Sequence, residues 1–464
     1  MSSVAVNNQK QVHRRPPGPF GHWFWGTVRE FQQSSLDTMV NLTREYGDAV
    51  RFRFFLHFYG YLFCHPEHNK HILQDNNRNY TKMPHPSFML LRPVLGNGLL
   101  TSDGEFWRQQ RRLAQPAFHR RRIAEFGTIM TDVTQVMLEK WQAPAESGRP
   151  FDVAEEMMRL TLEIVGRALF SIDITREAER VGTAFTAVNT KLAELSVKPF
   201  SPYLIKIPWL PDSRYLNRNI AVLNEVVDSV ISQRRGQRDG AEDDLLGLLM
   251  AARDEETGLG MDDQQLRDEV MTIMLAGHET TAVALSWTFY LLSQHPDVRQ
   301  KLEAELAEVL GGRVPTVADM PDLTYTTMVI EESMRLYPPA YAISRWCNEA
   351  DEVGGYIVPA NSALTLSPYL THRHPDFWEE PDKFDPQRFT PVRQAERPRY
   401  AYLPFGGGPR QCIGNNFAMT EATLLLATIA QRYRLELLPG QRVEMEPLIT
   451  LRPRGGLPMM LSRV

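Results

Sequence analysis

The chain has 464 residues, with 51 Lys+Arg against 56 Asp+Glu, a formal net charge of −5, 43% apolar and 23% charged residues. This is ordinary globular composition, which excludes a disordered chain or a coiled coil and, lacking a basic excess, a nucleic-acid-binding protein. Only three cysteines occur, Cys64, Cys347 and Cys412, which excludes a built-in four-cysteine iron–sulfur cluster or zinc ribbon and points to a reducing compartment rather than a disulfide framework.

Residues 1–30 read as an N-terminal tail with a proline-rich segment. Its first 15 residues are polar, include Lys10, Arg14 and Arg15, and lack the apolar run of a signal peptide. Pro16, Pro17 and Pro19 would break an amphipathic targeting helix. Trp23-Phe24-Trp25 is too short to span a bilayer, so no stable membrane anchor is expected; packing against the body is the first expectation for it and contact with a membrane surface the alternative. Residues 31–464 read as one domain, without repeats, low-complexity tracts or Gly/Ser linkers.

Val50–Phe54 alternates in character, and Gly60 with Tyr61-Leu62-Phe63-Cys64 follows, which predicts a hairpin. From about 103 to 336 the pattern is helical. Trp107 and Arg111 stand at i,i+4, two hydrogen-bond donors on one helix face. A basic run, His119-Arg120-Arg121-Arg122, comes next. A helix is predicted over 262–294, with Asp262, Asp263, Asp268 and Glu269 in its first turns, where the macrodipole favours acids. Its length of about 33 residues gives a rod of roughly 50 Å. Val270–Ser293 is apolar nearly all round, which predicts an interior path, and His278 and Glu279 near the centre would be costly in lipid. Pro296 opens a helix over 296–310 that Gly311-Gly312 closes. Short strands and loops follow Pro338-Pro339 up to about 411, then a final helix over 414–432. The chain is thus mainly α with a minor β part.

The segment Phe405-Gly406-Gly407-Gly408-Pro409-Arg410-Gln411-Cys412-Ile413-Gly414 carries the chemistry. A helix N-terminus stabilises a thiolate through its dipole and free N–H groups. Glycines let backbone approach a flat cofactor, and nearby N–H groups tune a ligating sulfur. No Cys-x-x-Cys-His is present, so any haem would be non-covalent, of b type. The decapeptide resembles the haem-binding signature of the cytochrome P-450 superfamily, with Phe405, Gly406, Gly408, Arg410, Cys412 and Gly414 in the matching places.

Further segments resemble the same family in the same order. Glu332-Ser333-Met334-Arg335 resembles its Glu-x-x-Arg, with Arg388 in Phe384–Phe389 as third partner, although Gln387 stands where the family usually has an acid. Ala276-Gly277-His278-Glu279-Thr280-Thr281 resembles its oxygen-activation motif. Trp107–Arg111 resembles its Trp-x-x-x-Arg, and Arg345 and Arg410 match its other propionate-binding positions.

The resemblance implies the cytochrome P-450 fold, with the long central helix over a haem b ligated by the Cys412 thiolate. Trp107, Arg111, Ala276, Arg345, Phe405, Arg410 and Gly414 would bind the haem. Glu279 and Thr280 would deliver protons, while Glu332, Arg335 and Arg388 hold the cysteine loop. The implied activity is monooxygenation of a lipophilic small molecule with O2 and two electrons. The implied pocket takes in Pro86–Leu100, residues 184–206, Ala276, Thr281, Ala340–Ile343 and Ile449-Thr450, segments rich in apolar side chains. A fatty acid or similar long chain is the first expectation, a terpenoid or steroid the next.

The chain closes at Val464 with no flavin or ferredoxin segment, so a separate ferredoxin or flavoprotein reductase is expected, together with a cytoplasmic protein of bacterial type. The alternatives are a peroxide-driven or rearranging haem-thiolate enzyme, against which the Glu279-Thr280 pair speaks, and a non-catalytic haem sensor, for which no signalling domain is present. A zinc hydrolase is excluded because position 282, where His278-Glu279 would need a second histidine, is Ala282. His372 and His374 have no acid or cysteine cluster beside them in sequence, and Cys64 and Cys347 are expected to be inert. The basic run after the Trp107–Arg111 helix is either a plain solvated face or, as the resemblance implies, a patch near the cysteine that would steer an acidic electron donor. Neutralising Arg120–Arg122 is expected to slow reduction by that donor more at low than at high salt, as stopped-flow rates at two ionic strengths would show; equal slowing at both would remove the steering role.

Overall fold

The computed structural model describes residues 14–172, 175–236, 244–254 and 258–464. The predicted long helix runs Asp263–Gln294, opened by the Asp262 carboxylate accepting from the Gln265 amide at 2.8 Å. Between Asp268 and Phe289 every residue is buried except Ala276, Gly277 and Thr280. A helix apolar on all sides has to be covered on all sides. The covering comes from the helices Val153–Phe170, Pro211–Gly236, Thr324–Leu336 and Asn415–Ala430. Hydroxyls inside this core turn back on their own helix: Ser286 donates to the Ala282 carbonyl at 2.7 Å and Thr288 to that of Ala284 at 2.8 Å. Trp287 stacks on Tyr337 with ring centroids 4.0 Å apart and gives its indole N–H to the Leu451 carbonyl at 2.7 Å.

Helix ends follow the expected chemistry. Pro296–Leu310 begins on proline and stops at Gly311, whose φ of 56° is left-handed. The final helix runs Asn415–Ala430, inside the predicted span. A helix over Ser35–Tyr46 was not foreseen, although Ser34 followed by Asp37 was a legible start; the Ser34 hydroxyl caps the Asp37 amide at 3.3 Å.

The predicted hairpin pairs Ala49–Phe55 with Phe58–Phe63, antiparallel. It joins a five-stranded sheet in the order Ala49–Phe55, Phe58–Phe63, Ser362–Leu366, Ile343–Cys347, Tyr80–Thr81. Phe58–Phe63 and Ser362–Leu366 run parallel; the other neighbours are antiparallel. This sheet places Arg345, at the middle of its strand, opposite Leu364. The proline-rich segment lies along the sheet edge, with the Arg51 amide donating to the Pro17 carbonyl at 2.7 Å. Of the tryptophan cluster only part packs as expected: Phe24 and Trp25 sit against Phe55, at 5.2 and 6.0 Å between centroids, while Trp23 is 73% exposed.

A buried ionic clamp ties the helical and irregular parts together. Glu332 receives Arg335 bidentately, at 2.6 and 2.8 Å, and Arg388 at 3.3 Å. Arg335 also donates to the carbonyls of His372, Pro381 and Lys383, at 2.9, 2.6 and 2.9 Å. His372 carries the clamp onward by accepting the Leu403 amide at 2.9 Å, only a few residues ahead of Phe405. Burial and the neighbouring arginine hold its imidazole neutral, down to about 3. Arg335→Ala would strand the Glu332 charge in a dry interior. The expected loss is about 3–5 kcal/mol, read as a lower denaturation midpoint; an unchanged midpoint would show the clamp to be dispensable.

Candidate active site

The cysteine loop is built by backbone geometry. The Cys412 amide donates to the Phe405 carbonyl at 3.0 Å and the Gly406 amide to that of Leu403 at 3.0 Å. Gly408 has φ +64°, and a Cβ there would lie 1.8 Å from the Leu73 carbonyl oxygen, so no other residue fits. Gly414 is the N-cap of the Asn415–Ala430 helix. Cys412 is surrounded by protein, yet its side chain borders open space, so it lines an interior cavity. Burial pushes its thiol up, while the Gly414 amide and the Arg111 charge pull it down. Arg111 is fixed beside it by a 2.8 Å bond to the Gln411 carbonyl.

The opposite contribution comes from the long helix. Ala276, Gly277 and Thr280, its three open positions, lie on one face by helical spacing. The Thr280 hydroxyl donates to the Ala276 carbonyl at 2.8 Å. Small side chains here leave room for a flat group.

A cluster of cations converges on a single carboxylate. Arg410 donates to Asp103 Oδ1 at 2.7 Å and to the Ser102 carbonyl at 2.8 Å, with its guanidinium 3.7 Å over the Trp107 ring. Arg345 is buried, and among the described residues its guanidinium bonds only the Ser344 carbonyl, at 2.8 Å. Sequence reasoning missed two members, Lys82 and His85. Lys82 is buried, gives its Nζ to the Leu100 carbonyl and places its amide 3.1 Å from Asp103. Burial and the like charges of Arg410 and Arg345 hold the Lys82 ammonium well below its usual range. Burial and Arg345 push His85 down to about 3, and burial brings Arg345 and Arg410 down to about 10. Cations that depress one another have too little negative charge among them. The two carboxylates of a haem would supply what is lacking, since arginine binds carboxylate bidentately. Donor set, small-residue wall and inward thiol all fit a haem.

Glu279 faces elsewhere. It is buried, and its Oε1 accepts from Asn189 at 2.7 Å, Thr450 at 2.6 Å and Arg452 Nε at 2.5 Å. Burial raises its carboxyl, against the pull of Arg452, Thr450 and Asn189. The structure therefore brings Glu279 to Arg452 rather than to the neighbouring Thr280 hydroxyl. A second acid, also missed, lies on the cysteine helix: Glu421 is buried, with the Thr281 hydroxyl beside it. Burial pushes it up to about 8.

The remaining sequence candidates have structural partners. His278 bonds the Met274 carbonyl at 2.8 Å and meets Phe185 edge-on. His374 pairs with Asp48 at 3.0 Å, and among the described residues no group of three His, Cys, Asp or Glu could hold a metal ion. Cys64 and Cys347 are buried. In the basic run, Arg122 pairs with Glu125 at 3.2 Å, and the side chains of Arg120 and Arg121 lie outside the described residues.

A family model described as Cytochrome P450 matches residues 16–457. The chain is 43% identical over 392 residues to cyclooctatin synthase of Streptomyces melanosporofaciens, covering 84% of each protein. It is 40% identical to cyclooctat-9-en-7-ol 5-monooxygenase of the same organism, covering 82% of this chain and 81% of the relative. Pentalenene oxygenase of Streptomyces avermitilis is 36% identical, over 84% of this chain and 85% of that one. Among solved structures, a cytochrome P450DA haem domain superimposes with a TM-score of 0.87 at 28% identity, covering 98% of both chains.

Glu421 holds a proton more tightly folded than unfolded, so it withdraws stability as pH rises from the ordinary carboxylate range through about 8. Glu421→Gln should therefore be more stable than the parent near pH 9, by on the order of 2 kcal/mol, and the gap should close below about pH 5. Denaturation midpoints across pH measure this, and a gap independent of pH would contradict it.

Proposed function

This chain belongs to the cytochrome P450 family and is a haem-thiolate monooxygenase, and on that premise we propose that it hydroxylates a terpenoid-sized lipophilic molecule, with Cys412 as the thiolate ligand. The observation that carries the assignment is the inward-facing Cys412 thiol at a helix N-terminus, in a cavity where Lys82, Arg345 and Arg410 meet a single carboxylate. Haem held there supplies dioxygen activation, with electron density from the thiolate.

The chain's own residues do the rest. Lys82, Arg345 and Arg410 form the cationic end that would orient the carboxylates, with the Trp107 indole and the neutral His85 as further donors and Arg111 between that end and the sulfur. Arg111 and the Gly414 amide moderate the charge on sulfur. Ala276 and Gly277 keep the long helix low over the site. The Thr280 hydroxyl is held by the Ala276 carbonyl and leaves its oxygen free to accept from ordered water, the position from which a proton would be passed on. Glu279 can act in that passage only after letting go of Arg452, Thr450 and Asn189.

The substrate class rests on the pocket and on the relatives. Phe88, Leu90, Val94 and Leu99 are apolar, and Leu100 is 38% exposed between the buried Leu99 and Thr101. The sequence alone placed a fatty acid first. Relatives named for cyclooctatin, cyclooctat-9-en-7-ol and pentalenene, all terpenoids, support placing a terpenoid first here. The reading keeps residues 1–30 as a tail, residues 31–464 as one haem domain, a cytoplasmic location, and a separate ferredoxin or flavoprotein reductase as electron donor.

The test is a spectral-shift titration of the holoenzyme with cyclic terpenes, steroids and fatty acids. Cyclic terpenes are expected to give the largest water-displacement shift; a shift with fatty acids alone would overturn the substrate class. Cys412→Ser should abolish the far-red-shifted Soret band of the reduced carbon monoxide complex, and persistence of that band would exclude Cys412. Thr280→Ala should keep haem bound while product formed per electron falls by about tenfold, with the balance recovered as hydrogen peroxide. Unchanged coupling would remove Thr280 from proton delivery.

A further inference from the structure

Residues 96–103 form a strap between the helices Pro86–Leu95 and Gly104–Ala114, and groups of opposite charge hold its two sides. On one side the long helix offers two consecutive carboxylates. Asp268 Oδ2 accepts the Asn97 amide at 2.6 Å, and Glu269 Oε2 accepts the Leu99 amide at 3.1 Å. On the other side Lys82 donates to the Leu100 carbonyl, and Arg410 donates to that of Ser102 at 2.8 Å. Glycine permits the close approach: a Cβ on Gly98 would collide with Thr272 Oγ1 and come 2.7 Å from the Asp268 carbonyl oxygen. Leu100 is the open apolar side chain of the strap, and its carbonyl is tied to the cationic end of the cavity.

The two acids differ. Asp268 has both oxygens served, since its Oδ1 accepts from Gln264 Nε2 at 2.8 Å. Glu269 is fully buried, and among the described residues its Oε1 has no hydrogen-bond partner; nor has Thr272 Oγ1, one turn further along the helix. The charges acting on Glu269 are Asp268 on its own helix and Lys82 across the strap, and no other charge among the described residues adds to them. Burial pushes its carboxyl up to about 7, against the pull of the Leu99 amide.

A carboxylate covered by backbone, with one oxygen idle and no ion pair, costs more to bury than the neutral acid. Lifting the strap off the long helix would hydrate Glu269 and return it to the ordinary carboxylate range. The closed strap therefore binds the Glu269 proton more tightly than the open one. By linkage, closure has its full strength at or below the ordinary carboxylate range, weakens as pH rises from there through about 7, and is level above. Asp268, bonded at both oxygens, supplies the part of the hold that does not depend on that proton.

We propose that closure of residues 96–103 over the long helix takes up a proton from water at Glu269, so that the part of the cavity wall carrying Leu100 loosens when that proton is lost. The proposal rests on the haem cavity and on no particular substrate. The experiment is amide hydrogen exchange of the holoenzyme, followed by mass spectrometry on the peptide spanning 96–103 between about pH 5 and about pH 9, with intrinsic rates divided out by use of an unfolded peptide of the same sequence. Protection of the strap is expected to fall by at least about tenfold over that range, while a peptide within the helix Pro296–Leu310 stays level. Glu269→Gln should be flat with pH and better protected than the parent at the alkaline end. Asp268→Ala should be less protected at every pH with the parent's slope, and Glu421→Gln, which removes the other buried acid, should also keep that slope. The reduced carbon monoxide spectrum of each variant reports a folded holoenzyme, and its absence from the parent would count against the haem-thiolate reading instead. Should Glu269→Gln lack that spectrum, Glu269→Met, of like length and without a titrating group, takes its place. A parent without a slope, the parent's slope in the Glu269 variant, or an equal slope in the Pro296–Leu310 peptide overturns the proposal.

Discussion

Glu332 is fully buried, and a charge in a dry interior has to be met by opposite charge with good geometry or it unfolds the protein. Arg335 and Arg388 meet it from two directions. Because Arg335 has donors left over, it also collects three backbone carbonyls from the loop after His372. That loop leads through the His372–Leu403 bond into the glycine-rich turn. An ionic contact made many residues earlier in the chain is thus joined by hydrogen bonds to the segment that leads into the turn carrying the thiol. Replacement of the usual family acid by Gln387 leaves this arrangement intact, since Arg388 reaches Glu332 and the Glu380 carbonyl without it.

The cavity has two electrostatic ends. At one, a sulfur has a helix N-terminus, the Gly414 amide and Arg111 for company, all favouring negative charge. At the other, Lys82, Arg345 and Arg410 surround Asp103 alone. An apolar isostere would fill neither end. This is why haem, carrying both a metal for the sulfur and two carboxylates for the cations, suits the cavity as a whole.

The long helix separates tasks by face. Ala276, Gly277 and Thr280 look into the cavity, while Glu279, one residue away, is turned by about 100° into a knot with Asn189, Thr450 and Arg452. Asn189 also accepts the Ile449 amide, so the knot joins the Thr175–Ser196 helix to the C-terminal strands. Any motion of that helix would alter the environment of Glu279.

What the sequence by itself determined is whatever a single segment encodes. The long helix, the Pro296–Leu310 helix with its glycine stop, the hairpin and the cysteine turn were legible because period, cap and turn residues act over a few positions. Cys412, Thr280, Arg410 and the Glu332–Arg335 pair were visible because each lies within one short motif that resembles the family's. Lys82 and His85 were not, because a lysine in Thr-Lys-Met-Pro-His looks solvated until the chain folds it against Arg345 and Arg410, hundreds of residues later. Nor could local pattern show that Glu279 answers to Arg452, that Glu421 is buried beside Thr281, or that Phe24, Phe55 and Phe200 meet. Only the tertiary structure decided these, because burial and charge pairing depend on which distant segments meet, and local periodicity carries no record of that.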